Sequence, residues 1–365
     1  MVLQGEAVLF PRNAGDRLRQ TQRSARPPLQ EGRPVLTITS QQRISFLTQF
    51  EQWLRVLGVS LDYLLENHVY SIDELNRHLV RYGRALYAVG RPYNHFAETI
   101  NAIAARRPVV RRQLQEAWNF AFAWVREEPP VHHVAMPWQV LLACISTCLV
   151  WGWLDIAGMF ALTWGALLRV GEFTGALRRD LLLPSDTCYT NNFALLSLKE
   201  PKTRFTAARH QCAKLDVPDL LRVVHIAFSR LRPGQKLWPR SGQTLRLRFK
   251  QVLTELGIQD VLLNNKRLDL GSLRPGGATW ILQQTEDSEF TRRRGRWINQ
   301  RVMEVYIQEI SAFSFLAAIP DNVRQKVYGL SEIFPLVLQN AELFWNAAIP
   351  HDVWYLLWRS QVTRE

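Results

Sequence analysis

Residues 193–217 read FALLSL, KEPKTRFTAARH, QCAKLDV in succession, and this stretch decides the fold class. Phe193–Leu198 is a short apolar strand candidate and Gln211–Val217 a second. Thr203–Ala208 lies between them as the hairpin turn. On both sides apolar residues recur at helical spacing instead. Helices are expected over 138–153 and 156–168 before the hairpin, and over 217–231, 243–257, 272–285, 288–295 and 299–311 after it. The expectation is a mainly α chain with a small β-hairpin or sheet, its second half a mixed α+β domain.

Further outward, Glu127-Glu128-Pro129-Pro130 ends a helical region, and 127–137 reads as an interdomain linker closed by Pro137. Residues 41–127 form a small all-α module. Ile44, Leu47, Phe50, Leu54 and Leu57 give one apolar stripe, and Leu75, Leu79, Tyr82, Leu86 and Val89 another. Ser71 with Glu74 three residues later resembles a capping box that opens a helix. Residues 1–40 hold Pro11, Pro27, Pro28 and Pro34 without a sustained period and read as a flexible basic arm. Residues 312–365 form an apolar, aromatic helical extension.

The chain has 365 residues and is 47% hydrophobic, which supplies a real core and excludes wholesale disorder. Its four cysteines exclude a disulfide scaffold. Cys144 and Cys148, four apart on an apolar helix, read as core residues. The longest apolar run, Val140–Leu154, is broken by Ser146 and Thr147, is too short to span a bilayer comfortably and reads as a buried helix. The formal net charge is +13, and residues 131–310 alone hold 24 basic and 15 acidic side chains. Such a surplus points to an anionic partner, most often nucleic acid.

Three short stretches carry candidate chemistry. The first is Leu168-Arg169-Val170-Gly171-Glu172, with Asp180 eleven residues after Arg169. The second is Ser272-Leu273-Arg274-Pro275-Gly276-Gly277-Ala278-Thr279. The third is Arg292-Arg293-Arg294-Gly295-Arg296-Trp297, with Tyr306 nine residues beyond Trp297. Opening a phosphodiester needs a nucleophile, charge stabilisation on the phosphoryl oxygens and an acid for the leaving oxygen. A tyrosine hydroxyl can form a covalent phosphotyrosine that conserves the bond for religation. Guanidiniums donate bidentately to phosphate oxygens. Indole supplies a single N–H donor.

Together the three stretches resemble the catalytic domain of the tyrosine recombinase/integrase family. Arg169 and Glu172 match its Arg-x-x-Glu box and Arg274 the arginine of its second box. Trp297, 23 residues after Arg274, and Tyr306 keep the separations of bacterial members. The Pro-Gly-Gly after Arg274 and the extended tail are similar to recombinases of eukaryotic mobile elements. The resemblance implies a core-binding domain over 41–127 and a catalytic domain over 138–311. It implies Arg169, Arg274, Trp297 and Tyr306 as catalytic residues, with a hairpin lysine as general acid. Lys202 is preferred for the lysine and Lys199 is the alternative. It implies no metal and no cofactor, double-stranded DNA as partner, and a homotetramer on DNA joined through the tail. A nuclear location, or a nucleoid one in a bacterium, follows from the substrate. Arg292, Arg293, Arg294 and Arg296 are expected to touch phosphates beside the site. One departure matters: Gly271 stands three residues before Arg274, where the family usually has His. His210, on the far strand of the expected hairpin, is the other imidazole to consider, and it reads first as a structural histidine. The alternative reading is therefore a catalytically impaired, mobile-element-derived DNA-binding protein.

Overall fold

The computed structural model describes residues 14–24, 35, 37–129, 132–187, 192–199 and 211–362. The chain divides into two compact units, Met1–Pro130 and Val131–Glu365.

In the first unit, α1 (Ala14–Ser24) lies inside the stretch expected to be a flexible arm. No proline falls between Pro11 and Pro27, and Asp16 in the first turn pairs with Arg19, which suits a helix N-terminus. The helical module consists of α2 (Thr37–Val56), α3 (Leu61–Glu66), α4 (His68–Ala88), α5 (Tyr93–Arg106) and α6 (Gln115–Glu127). Its core takes Phe50 and Leu54 from α2, Leu75, Leu79, Tyr82 and Leu86 from α4, and Phe96, Ile100 and Trp124 from α5 and α6. Ile44 and Val89, the outer members of the two expected stripes, are exposed. Ser71 does not open a helix. It lies inside α4 with its hydroxyl donating to the Asn67 carbonyl at 2.9 Å, a local bond that a mid-helix serine makes in place of a cap.

The second unit is built on two buried helices, α7 (Trp138–Val150) and α8 (Leu154–Gly165). Both are apolar on every face because they are covered on every side. α9 (Val170–Thr174) follows α8. A three-stranded antiparallel sheet then forms from β1 (Leu181–Leu182), β2 (Ala194–Leu198) and β3 (Gln211–Leu215), in that order. Leu196 faces Leu181 on one side and Ala213 on the other. Ala194, Leu196 and Leu198 are buried while Ser197 is exposed, the alternation of a half-covered sheet. β1, two residues long, is too short to leave a periodic signal. The expected turn Thr203–Ala208 lies outside the described residues.

α10 (Pro218–Phe228) packs along α8, and α11 (Gly242–Leu256) packs on both α7 and α8. α12 (Leu273–Thr285) crosses α8 and leads to α13 (Ser288–Gly295). The helix expected over 299–311 is two pieces, α14 (Gln300–Glu304) and α15 (Glu309–Ala318). The Thr279 hydroxyl breaks it by donating to the Tyr306 carbonyl at 3.3 Å and accepting from the Gln308 amide at 3.0 Å. The tail continues as α16 (Asp321–Glu332), α17 (Phe334–Asn346) and α18 (Trp354–Val362). α16 and α17 cover α7 of the same chain, burying Val327, Phe334, Val337, Leu338 and Ala341. Arg222 of α10 fastens α17 through Glu342 at 2.8 and 2.5 Å. Cys144 and Cys148 are core residues of α7, where burial pushes both thiols up. No single helix among the described residues is long and apolar enough to cross a membrane.

Candidate active site

The end of α8 prepares the first arginine. Leu167 takes φ +51°, a left-handed conformation that ends the helix, and Arg169 is extended at the start of α9. One turn later Glu172 folds back. Its carboxylate accepts the Arg169 backbone N–H at 2.8 Å and the Arg169 Nη1 at 2.7 Å. The Arg-x-x-Glu spacing is thus a helix-start device in which the acid both caps the helix and aims the guanidinium.

A second arginine clamps the same carboxylate from the far end of the domain. Arg296 takes φ +59° just beyond α13, so its side chain turns inward. Its guanidinium donates to the carbonyls of Ala166 and Leu167, at 3.3 and 3.0 Å, and to Glu172 Oε2 at 2.9 Å. It thereby satisfies the open end of α8. Burial pushes the Glu172 carboxyl up, but Arg296, the Arg169 amide and guanidinium, and Arg274 outweigh it and hold the carboxyl below its ordinary range.

Arg274 sits in the first turn of α12 and is only 4% exposed. Its Nη2 donates to the Gly295 carbonyl at 2.6 Å. Its Nε and Nη1 are buried with no hydrogen-bond partner. The guanidinium carbon lies 5.0 Å from the centroid of the Trp297 ring and 5.2 Å from that of Tyr306, within cation–π range. Burial, then the charges of Arg169 and Arg296, press its pKa down from the ordinary arginine value, against Glu172 and Tyr306. Three guanidiniums against one carboxylate leave a net positive cluster.

Trp297 is buried, and its indole N–H has no partner either. The ring folds back over Gly295, where a Cβ would collide with it. Gly277 of the Pro-Gly-Gly motif has a similar reason, since a Cβ there would strike the Trp164 carbonyl at the close crossing of α12 over α8. Tyr306 is half-buried in the break between α14 and α15, its ring 4.9 Å from that of Trp297.

The structure therefore gathers Arg274, Trp297 and Tyr306 directly, and joins Arg169 to them through Glu172 and Arg296. Lys199 follows β2 and pairs with Asp180 at 2.5 Å. Lys202 and His210 lie outside the described residues. The arginine run divides. Arg293 is 76% exposed. Arg292 bonds Glu289 at 2.7 Å and the Trp297 carbonyl at 2.8 Å. Arg294 is largely buried against Asp216. Arg296, whose side chain is 8% exposed, holds the site from inside, in place of the phosphate contact expected of it. The left-handed turn at 296 reverses its direction, and a run of four arginines carries no sign of that.

Sequence reading also missed His133. Its Nδ1 lies 2.9 Å from Asp269 Oδ2, and its ring stands against Gly271. A lone pair of histidines in a linker offered no spacing to detect it.

No family model and no curated protein matches the chain. Among solved structures it is similar to the crystal structure of XerA recombinase, with 12% identity and a TM-score of 0.35, covering 78% of this chain and 97% of that one. It is also similar to XerH site-specific recombinase bound to difH substrate in a pre-cleavage complex, with 11% identity and a TM-score of 0.37, covering 80% of this chain and 90% of that one.

Proposed function

We propose that this chain is a DNA tyrosine recombinase, which breaks and rejoins DNA through a covalent 3′-phosphotyrosine. The observation that carries the reading is the set of buried, unanswered donors beside Tyr306: Nε and Nη1 of Arg274 and Nε1 of Trp297. Other buried polar atoms among the described residues also lack partners, Arg178 Nε and Trp358 Nε1 among them, so what marks this set is its convergence beside Tyr306, where one anion would answer all three donors. A phosphoryl group seated there takes the N–H bonds of Arg274 and Trp297, with Arg169 reaching it from the Glu172 side. The Tyr306 oxygen attacks phosphorus and the 5′-oxygen leaves. A hairpin lysine, Lys202 or Lys199, protonates that oxygen. The basic surplus of residues 131–310 suits a DNA partner.

In the same reading the module over 41–127 grips DNA, the origin is a mobile element, and the location is the nucleus or nucleoid. The protein acts as a homotetramer on DNA. Parts of the tail remain free to touch a neighbouring subunit, among them the outer face of α17, where Leu336 and Leu343 are exposed, and Phe313 and Leu356. A second reading, an inactive DNA-binding descendant, is favoured by Gly271, which brings no side chain to the second box. A pool of random duplexes, nicked so that religation fails, separates the two. A covalent adduct that disappears in Tyr306→Phe supports the enzyme. Salt-sensitive binding without any adduct supports the descendant.

A further inference from the structure

We infer that Thr279 is a positioning residue for the nucleophile, its hydroxyl holding the Tyr306 backbone against α12, the helix that carries Arg274. The role in strand cleavage rests on the recombinase reading above, whereas the placement of the tyrosine does not.

Several helical threonines of this chain turn the hydroxyl back onto the carbonyl four residues earlier. Thr99 does so to His95 and Thr147 to Ala143, both at 2.8 Å, and Thr285 to Ile281, also at 2.8 Å. Thr279 lies inside α12 and is 2% exposed, yet its hydroxyl crosses to another segment. It donates to the Tyr306 carbonyl at 3.3 Å and accepts the Gln308 amide at 3.0 Å. A hydroxyl has one proton and two lone pairs, so this one oxygen answers both groups. The Tyr306 amide donates to the Met303 carbonyl at 2.7 Å. The residue is thus fixed through its N–H to α14 and through its carbonyl to α12.

Packing alone does not set this register. Tyr306 and Ile307 lie against a small cluster of Leu167, Ala278, Ile281, Trp297 and Met303. Apolar contact is non-directional and tolerates sliding. Hydrogen bonds weaken steeply as they bend, so the pair at Thr279 fixes the height of the segment along α12.

The same helix sets the rest of the site. Arg274 lies five residues before Thr279, about 7.5 Å along the axis. Gly277, between them, is pressed onto the end of α8. A Cβ there would lie 2.0 Å from the Trp164 carbonyl oxygen and 2.7 Å from Cδ2 of Leu167, two residues before Arg169. α12 therefore refers Arg169, Arg274 and Tyr306 to one frame. The 5.2 Å between the Arg274 guanidinium carbon and the Tyr306 ring centroid is a product of that frame. Such placement matters, because a shift of about 1 Å in reacting groups can cost about 100-fold in rate.

Two substitutions separate the hydrogen bonds from mere filling of space. Thr279→Val keeps the shape and removes the hydroxyl. Thr279→Ser keeps the hydroxyl and removes the methyl group. The first readout needs no DNA. Protein labelled with fluorotyrosine gives a fluorine NMR signal for residue 306, identified by its loss in Tyr306→Phe and shifted by the Trp297 ring 4.9 Å away. Thr279→Val should move or broaden this signal, and Thr279→Ser should leave it in place. The second readout is single-turnover adduct formation on the nicked random duplex pool. Thr279→Val should slow it about 100-fold with DNA binding unchanged, while Thr279→Ser stays near wild type. Thr279→Ala takes the place of Thr279→Val if the valine variant does not fold.

An unmoved signal in Thr279→Val would overturn the inference alone. So would a serine variant as displaced or as slow as the valine one, a displaced tyrosine that reacts at the wild-type rate, or a loss of DNA binding that parallels the loss of rate. No adduct from the wild-type protein would overturn the recombinase reading, and the fluorine signal then decides the placement by itself.

Discussion

Arg296 and Arg274 are both buried in one domain, on either side of the Gly295 carbonyl, and their hydrogen bonding differs sharply. Apart from its Nε, Arg296 is spent within the protein, on two helix-end carbonyls and Glu172. Arg274 spends one nitrogen on Gly295 and leaves two donors unanswered beside Trp297 and Tyr306. A buried charge is tolerated when its partners are in place, and removing a partner strands the others. Unanswered donors cost stability and persist where a ligand is to meet them. The comparison separates an arginine bonded within the protein from one that, in the proposed function, would meet the phosphate.

The largest effect should fall on Arg274. Arg274→Ala should lower adduct formation by about 1,000-fold or more, with a thermal midpoint that holds or rises, because the variant removes an incompletely paired buried charge. Arg274→Lys should recover little, since an ammonium does not reproduce the planar fork. Arg296→Ala should behave in the opposite sense, with a loss of about 3 kcal/mol or more in urea unfolding, because Glu172 and the end of α8 lose their partner. If instead Arg274→Ala unfolds the protein and Arg296→Ala only slows it, the two roles are exchanged.

A smaller effect should appear at Glu172. Its folded pKa lies below that of an unfolded glutamate, so the ionised carboxylate contributes stability at neutral pH. That contribution is lost as pH falls through the ordinary carboxylate range toward the folded value. Glu172→Gln should therefore be less stable than wild type near neutrality, with the difference shrinking on acidification. Urea titrations at about pH 7 and about pH 4 read this directly. The smallest effect belongs to Arg293, exposed and, among the described residues, paired with Glu289 at 2.8 Å. Arg293→Ala should leave the thermal midpoint unchanged and reduce the salt dependence of DNA binding by the equivalent of about one phosphate contact.

What the sequence displays of this site is set by how locally each feature is encoded. Arg169 and Glu172 are legible because a helix start brings residues three apart together. Arg274 and Trp297 are legible through their spacing, 23 residues apart with Tyr306 nine further on, which matches the family's boxes; the close packing at Gly277 and Gly295 shows only in the structure. The break that carries Tyr306 is not, because the Thr279 hydroxyl, 27 residues away, makes it. The inward turn of Arg296 is hidden for a similar reason: it depends on one left-handed residue that need not be glycine. The helix pattern was readable through α7 and α8, whose burial shows as a predominantly apolar composition. The two-residue β1 was not, since pairing with β2 alone creates it. The pairing of His133 with Asp269 was invisible because it joins residues 136 apart in the chain.

The most direct test of the central claim is the trapped adduct itself. Nicked random duplexes are incubated with the wild-type protein and with Tyr306→Phe, and the products are run on a denaturing gel. The account predicts a protein–DNA band with the wild type and none with Tyr306→Phe, with both proteins binding DNA alike. An adduct that survives Tyr306→Phe would place the nucleophile elsewhere, and a wild-type protein that binds DNA without ever forming an adduct would contradict the claim outright.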